Sequence, residues 1–383
     1  MHAALVALLH GCQWRNNLGA LRSFVTANYD QPNPHNQAVM ASPPTVTVSA
    51  GLPAGMAVSF TVSPDTQETA ALRVLGGRMF LVGGNYRIYS ADIGATGGNG
   101  GSNDGKECSG WRADVSTSAP IVTFRIAPTT SGYRFIVDGQ YVSLTPTQTV
   151  GTTGSTSEYF KVDFGSSVMR QISIEGERTC GLVSVWVASG QTCARPTTEA
   201  KRISFAGDSF TFGSGATSLG DSYGWVTADM LGFRHALLSG SGGTGYVATG
   251  ASAVKLFDRL SDINDRGPHD IIVCAMGVND IGQSAASITG QVLGCLLNLR
   301  RTNRSAQIFV VGPWDVNAPA APVANYATTK AAILAGIPSG AGITFLDAEG
   351  VSYTKSDATH PDTAGHATLG AWLALQIKTA LGA

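Results

Sequence analysis

Two short segments carry residue types suited to acyl transfer. The apolar run Ile203-Ser204-Phe205-Ala206 leads into Gly207-Asp208-Ser209-Phe210, and near the end of the chain Asp357-Ala358-Thr359-His360 is followed by Pro361. A serine hydroxyl is a weak nucleophile at neutral pH until an imidazole accepts its proton. That imidazole works best when a carboxylate fixes its tautomer and steadies its positive form. Ser209 is therefore the expected nucleophile, His360 the base that later acts as acid, and Asp357 the group that orients His360. Ser209 falls where a strand is expected to turn into a helix, which sets its N–H at the positive helix end, a favourable place for a developing anion. Gly243, in the glycine-rich stretch 239–246, offers a backbone N–H that no side chain of its own crowds. Asn279, in Gly277-Val278-Asn279-Asp280, offers a side-chain N–H₂. With the Ser209 N–H these make a three-donor candidate oxyanion hole. Asp208 is expected to cap backbone N–H groups rather than to react.

Taken singly, a serine, a histidine, an asparagine or a glycine cluster is structural; joint occurrence in one order carries the argument. His366 is expected at a helix start or in solvent, His235 as an ordinary strand-entry residue, and Trp225 and Trp372 as packing residues. No CxxC or HExxH occurs and the seven histidines are scattered, so neither a metal nor an organic cofactor is implied. Residues 240–245 fit G-x-G-x-x-G after a strand. They do not form the first strand-to-helix turn of their domain, however, and no second strand ending in a ribose-binding acid follows, so a nucleotide site is set aside. The lipase-type GxSxG elbow is missing, which argues against the α/β-hydrolase fold.

The elements that must position these residues fall into two textures. From residue 44 to 190, short β-type runs at 45–49, 58–62, 79–82, 121–126, 133–137, 160–164, 172–174 and 182–187 are separated by Gly, Pro, Asn, Asp and Ser clusters. Alternation such as Val58-Ser59-Phe60-Thr61-Val62 puts apolar side chains on one sheet face. Asp138-Gly139 is a hairpin signal because both residues tolerate positive φ. This half predicts an all-β domain of the sandwich or jelly-roll kind. Residues 94–105 are expected as an exposed glycine-rich loop and 191–200 as a linker. From 201 to 383, near-continuous apolar strands at 203–206, 236–238, 271–276, 308–311 and 343–346 alternate with helical stretches at 225–231, 286–301, 326–334 and 367–381. That pattern predicts a parallel sheet buried on both faces, with its ligand beyond the carboxyl ends of the strands. Segments 211–224, with Tyr223, and 313–325 are expected to wall the pocket.

A chain of 383 residues with formal net charge −1 and only 13% charged residues has no electrostatic attraction for nucleic acid or an anionic membrane. No apolar run approaches the roughly 18 residues that span a bilayer. Residues 3–9 are apolar and end in Leu9-His10-Gly11-Cys12. They resemble a shortened leader or lipoprotein site, but no basic segment precedes them. A buried amphipathic helix through Leu18, Leu21 and Phe24, within an N-terminal segment 1–43, is the favoured reading. The six cysteines, Cys12, Cys108, Cys180, Cys193, Cys274 and Cys295, form an even set that an oxidising, secreted or periplasmic compartment permits to pair. Cys180 and Cys193 could staple the strand-like segment they flank, whereas Cys274 and Cys295 suit buried thiols.

The blocks GDSFTFG (207–213), SGSGGTGY (239–246), GVND (277–280) and DATHPD (357–362) resemble, in this order, those of the SGNH, or GDSL-type, hydrolase family of esterases, over residues 201–383. Leu238 stands where many members carry an asparagine that orders the second block. The resemblance implies a three-layer, flavodoxin-like domain, and it implies hydrolysis of short-chain acyl esters, acetyl above all. Plant or microbial polysaccharides would be the substrate class, with the β domain holding the polymer near the cleft. Arylesterase, lipase and acyltransferase activities use the same residues. A carbohydrate-binding or adhesion protein with a secondary hydrolase domain is the non-enzymatic alternative, in which Tyr86, Tyr89, Trp111, Tyr133 and Tyr141 could line a sugar surface, although aromatic residues in β runs usually fill cores or cross-strand pairs.

Overall fold

The computed structural model describes residues 14–29, 39–61, 71–76, 78–82, 85–89, 110–128, 132–151, 157–176, 180–196, 201–250 and 254–383. The expected loop at 94–105, the apolar start of the chain, Cys12 and Cys108 lie outside these residues. The chain divides into two compact units, one built mainly from residues 32–199 and one from 200–383 together with the N-terminal helix.

The first unit is all β. Its strands are β1 (Thr45–Ser49), β2 (Met56–Thr61), β3 (Arg73–Leu75), β4 (Arg78–Val82), β5 (Asn85–Tyr89), β6 (Trp111–Thr117), β7 (Ile121–Ala127), β8 (Tyr133–Val137), β9 (Gln140–Tyr141), β10 (Glu158–Asp163), β11 (Arg170–Gly176) and β12 (Gly181–Ala188). They form an antiparallel sheet ordered β1-β10-β7-β12-β5-β4, with β2 also on β12, and a second ordered β3-β6-β11-β8-β9. Inward-facing residues of both sheets, among them Phe124, Phe160 and Val185 from the first and Val115, Phe135 and Ile174 from the second, share one core. This is a sandwich. Asp138 and Gly139 take φ of 48° and 88° between β8 and β9, as a tight hairpin requires.

Three open readings are decided by packing here. Trp111, Tyr133 and Tyr141 are buried, with Tyr133 edge-on to both Trp111 and Phe160, so these rings fill the core and line no sugar surface. Cys180 and Cys193 are separate buried thiols, not a disulfide; Cys180 Sγ donates to Gly132 O at 3.5 Å. Residues 191–196 are bound to the sandwich: Ala194 bridges Ser116 and Thr117 Oγ1 donates to Thr192 O.

In the second unit five parallel strands, β13 (Arg202–Gly207), β14 (His235–Gly240), β15 (Ile271–Ala275), β16 (Gln307–Val311) and β17 (Ile343–Leu346), pair in the order β14-β13-β15-β16-β17. The helices are α1 (Trp14–Asn28), α2 (Ser209–Phe212), α3 (Tyr223–Met230), α4 (Ser261–Asn264), α5 (Ala285–Thr302), α6 (Tyr326–Ala335) and α7 (Thr363–Leu381). Strand side chains alternate between two cores, as period-two geometry demands. Phe205, Val273 and Phe309 face the layer of α1, α3 and α7; Ile272, Cys274 and Val310 face that of α5 and α6. Both faces of the sheet are covered, which is why β15 has no polar residue. Helix α1 buries Leu21 and Val25 in the same core as α7, and Arg22 Nε donates to Leu381 O at 2.8 Å.

A buried histidine makes this domain acid-sensitive. His269 Nδ1 meets Ser204 Oγ at 2.7 Å and Nε2 meets Ile263 O at 2.9 Å. A carbonyl can only accept, so Nε2 carries the proton and Nδ1 receives the hydroxyl's. Burial lowers its pKa from 6.5 to about 4. Between those pH values the unfolded chain binds a proton that the folded one refuses, so the contribution of neutral His269 is complete above pH 6.5 and is lost as pH falls toward 4. A His269→Gln variant should lose less stability than the parent between pH 7 and pH 4, by about 3 kcal/mol, in urea titrations at each pH.

Candidate active site

Strand β13 ends at Gly207, and α2 begins two residues later with Ser209. The turn is this sharp because neighbouring positions lack side chains: a Cβ at Gly240, at the end of β14, would lie 2.2 Å from Phe212 N. Asp208 caps α2, accepting the Phe210 N–H at 3.0 Å on Oδ1, the capping role expected of it. Its other oxygen is buried without a hydrogen bond among the described residues. Burial pushes the Asp208 carboxyl up to about 7, against the Phe210 N–H and the Arg259 charge, which act to lower it.

The opposing segment is a small hairpin in which Lys355 bridges Pro361 and Ser356 N donates to His360 O at 2.9 Å. Asp357 organises its tip, with Oδ1 accepting the N–H groups of both Thr359 and His360 at 2.7 Å. Its Oδ2 meets His360 Nδ1 at 2.8 Å, and His360 Nε2 meets Ser209 Oγ at 2.9 Å. A carboxylate, an imidazole and a hydroxyl from residues 151 positions apart thus form one hydrogen-bonded chain. Hydrogen bonding to the His360 ring, then to the two backbone N–H groups, holds Asp357 well below the ordinary carboxylate value of 3.8. The pairing is therefore lost only as pH falls through that depressed value. Asp357 is also exposed, its side chain 55% accessible against 28% for His360.

The N–H donors gather on the same side. A Cβ on Gly242 would lie 3.9 Å from Ser209 Cβ, so the glycine-rich turn after β14 passes beside the nucleophile. Gly243 has φ of 73°. Among the described residues neither its N–H nor that of Ser209 is taken by an internal acceptor. Asn279 Nδ2 donates to Thr244 O at 3.0 Å, which leaves its second N–H for a ligand. Among the described residues, the next helical element after this turn is a short 3₁₀ turn, Leu256–Arg259. The helix N-terminus that a dinucleotide fingerprint needs is therefore not there.

Two supporting residues escaped the sequence reading. Asp280 is buried and accepts the N–H groups of Tyr246 at 2.7 Å, Val247 at 3.0 Å and Ala248 at 2.9 Å. Gly245 must stay small because a Cβ there would lie 2.2 Å from the same carboxyl. Arg259 is buried and donates to Gly207 O at 2.5 Å, Ser239 O at 2.8 Å and Ser239 Oγ at 2.6 Å, tying together the carboxyl ends of β13 and β14. Ser239 Oγ in turn donates to Asp262 Oδ2 at 2.9 Å. These contacts hold the second block although the side chain of Leu238, packed in the core, is apolar where an asparagine would carry a polar amide. The GVND motif held a signal for Asp280; Arg259 left none.

Other expectations resolve differently. Tyr223 is in the core, its OH 2.6 Å from Thr211 Oγ1, and forms no pocket wall. Trp314, in the 313–325 segment, is buried between Phe210, Tyr223 and Trp372. Trp225 is buried and Trp372 packs edge-on against Trp314, both as packing residues. His235 opens β14. Of the two settings expected for His366, the structure takes the helix start and buries the ring against the first residue of α3. Among the described residues no helix is long and apolar enough to cross a membrane, and no cluster of three or more His, Cys, Asp or Glu could hold a metal ion.

Residues 205–368 match the model of the GDSL-like lipase/acylhydrolase family. No curated protein matches the chain. The fold is similar to that of a family two carbohydrate esterase from Cellvibrio japonicus (TM-score 0.63, 16% identity, 85% of this chain and 98% of that one). It is also similar to the salicylyl-acyltransferase SsfX3 from a tetracycline biosynthetic pathway (TM-score 0.62, 15% identity, 86% and 99%). A third similar structure is a family two carbohydrate esterase from Clostridium thermocellum in complex with cellohexaose (TM-score 0.60, 17% identity, 81% and 99%).

Proposed function

We propose, for a chain whose C-terminal domain belongs to the GDSL-like lipase/acylhydrolase family and to the carboxylic ester hydrolase class, that the substrate is a short acyl ester, acetyl above all, carried on a carbohydrate polymer. Ser209 Oγ attacks the ester carbonyl while His360 Nε2 takes its proton, and the negative oxygen is received by the N–H groups of Ser209, Gly243 and Asn279. His360 then protonates the leaving alcohol, and water repeats the cycle on the acyl-enzyme with Ser209 as leaving group. The observation that carries the catalytic reading is the Asp357–His360–Ser209 hydrogen-bonded chain. The substrate class leans on the carbohydrate esterases among the similar folds. The similar acyltransferase fold makes an alcohol acceptor the second reading, in which water is excluded from the acyl-enzyme.

The test compares the parent protein with Ser209→Ala on aryl esters of increasing acyl length and on acetylated xylan, with and without added alcohol. Aryl-ester turnover that falls with acyl length, and acetate release from the xylan, both dependent on Ser209, are expected. Equal turnover by both proteins would remove the catalytic roles, and a product ester formed in preference to free acid would favour acyl transfer. Because Asp357 stands in solvent, water can take over part of its contact with the imidazole. Asp357→Ala should therefore lower kcat by about a hundredfold, well short of the roughly 10⁴-fold known for a buried orienting carboxylate.

A further inference from the structure

A second histidine on the segment that carries His360 is tied to the nucleophile. His366 lies in the first turn of α7, six residues after His360, and is fully buried. Its Nδ1 accepts the Tyr223 N–H at 3.2 Å, and its Nε2 lies 3.0 Å from Ser214 O. Ser214 closes the nucleophile turn, its own N–H donating to Ser209 O at 3.0 Å. The His366 ring lies parallel to that of Tyr223, centroids 6.4 Å apart and 6° between planes, and Tyr223 OH meets Thr211 Oγ1 in α2. One imidazole thus joins α7, the start of α3 and the end of the turn bearing Ser209. The same two catalytic segments meet again where Thr217 N donates to Thr363 Oγ1 at 2.8 Å.

We propose that His366 is a positioning residue: as a neutral imidazole it locks the segment carrying His360 to the turn carrying Ser209, and its protonation releases that lock. The proposal rests on the catalytic roles given above. Both ring nitrogens are committed, since Ser214 O requires a proton on Nε2 and the Tyr223 N–H requires a lone pair on Nδ1. A second proton would set N–H against N–H in a buried site, where an unmade hydrogen bond is costly. The ionisable groups around the ring are few. Asp362, at the start of α7, favours protonation but is occupied by Thr354 Oγ1 and Gly365 N. His360 opposes protonation when charged, and Tyr223 from α3 is neutral. Burial dominates and lowers His366 to about 4, so the lock is closed at neutral pH and opens on acidification.

The experiment uses the full chain as the parent, His366→Gln, His366→Leu and Ser209→Ala. Active sites are counted with a fluorophosphonate, and kcat and KM are measured on an aryl acetate from about pH 7.5 to about pH 3, a unit below the His366 pKa. Glutamine can accept from Tyr223 N–H and donate to Ser214 O without titrating. It should keep kcat within about threefold at pH 7, and the acid limb of its log kcat should fall by one proton. The parent should follow it, begin to steepen near pH 4 and approach a two-proton slope below it. Leucine should lower kcat per active site at least about tenfold with KM little changed, because misplacement of His360 affects the chemical step. Identical acid limbs for the parent and His366→Gln would overturn the lock, as would a parental kcat in His366→Leu. Were the leucine variant not to fold, the glutamine comparison would still decide. Activity persisting in Ser209→Ala would instead strike the catalytic reading on which the proposal stands.

Discussion

Replacing His360 with alanine should lower kcat on an aryl acetate by about 10⁴-fold or more, with KM and the unfolding midpoint little changed. The ring is the acceptor 2.9 Å from Ser209 Oγ, and among the described residues no other imidazole is placed to replace it. His366 is engaged at both nitrogens, and His269 lies against Ser204 and Ile263. Without a base the hydroxyl must lose its proton to water, and the oxyanion donors alone leave only a residual rate over solution. The fold should tolerate the change: the hairpin tip is held by Asp357 Oδ1 on two backbone N–H groups, and the ring is part-exposed. Ser209→Ala should fall by a similar factor, and the double variant should be no worse than either single one, since nucleophile and base act as a unit. Additive losses in the double variant, or a His360→Ala enzyme within tenfold of the parent, would contradict the assignment.

Asp280→Ala should be the most damaging change outside the reacting groups. It removes the acceptor for three consecutive N–H groups and leaves a buried hole against Gly245. Loss of such a satisfied buried cluster costs about 3–5 kcal/mol, read as a lower midpoint in urea. The molecules that remain folded should also lose about a hundredfold or more in kcat, because the Gly243 N–H is set by the turn that Asp280 holds. Asp280→Asn separates the two effects. Its remaining oxygen can still accept from Val247 and Ala248, but its amide N–H₂ faces the Tyr246 N–H, so intermediate losses in both readouts are expected. An alanine variant with the parent's midpoint and kcat would mean that the turn keeps its shape by other means.

Much of this site was legible in the chain itself. Ser209, His360, Asp357, Gly243 and Asn279 stand in four ordered blocks, and the chemistry they suit follows from residue type: nucleophile, base, orienting acid and N–H donors. The strands of the parallel sheet were equally plain. A strand covered on both faces, such as Ile271–Ala275, must be apolar throughout, and the sandwich strands betrayed themselves by alternation. In the sandwich, by contrast, β3, β5 and β6 were not read as strands. Trp111-Arg112-Ala113-Asp114 buries its charged residues as well as its apolar ones, which hides the alternation. The buried Arg112 answers Glu175 at 2.9 Å, and Arg134 does so at 2.5 Å, partners 63 and 41 positions away in sequence.

What tertiary structure alone decided is of that last kind. That His366 is a buried tie and not a solvent residue, that Arg259 joins the ends of two strands, that Cys180 and Cys193 stay thiols, and that α1 packs beside α7 all depend on which distant groups meet. Periodicity and motif record what a residue's immediate neighbours require of it, and they were sufficient for the reacting groups and the sheet. The polar residues that hold those groups in place are chosen by donors and acceptors brought close only when the chain has folded, so their roles leave no local pattern.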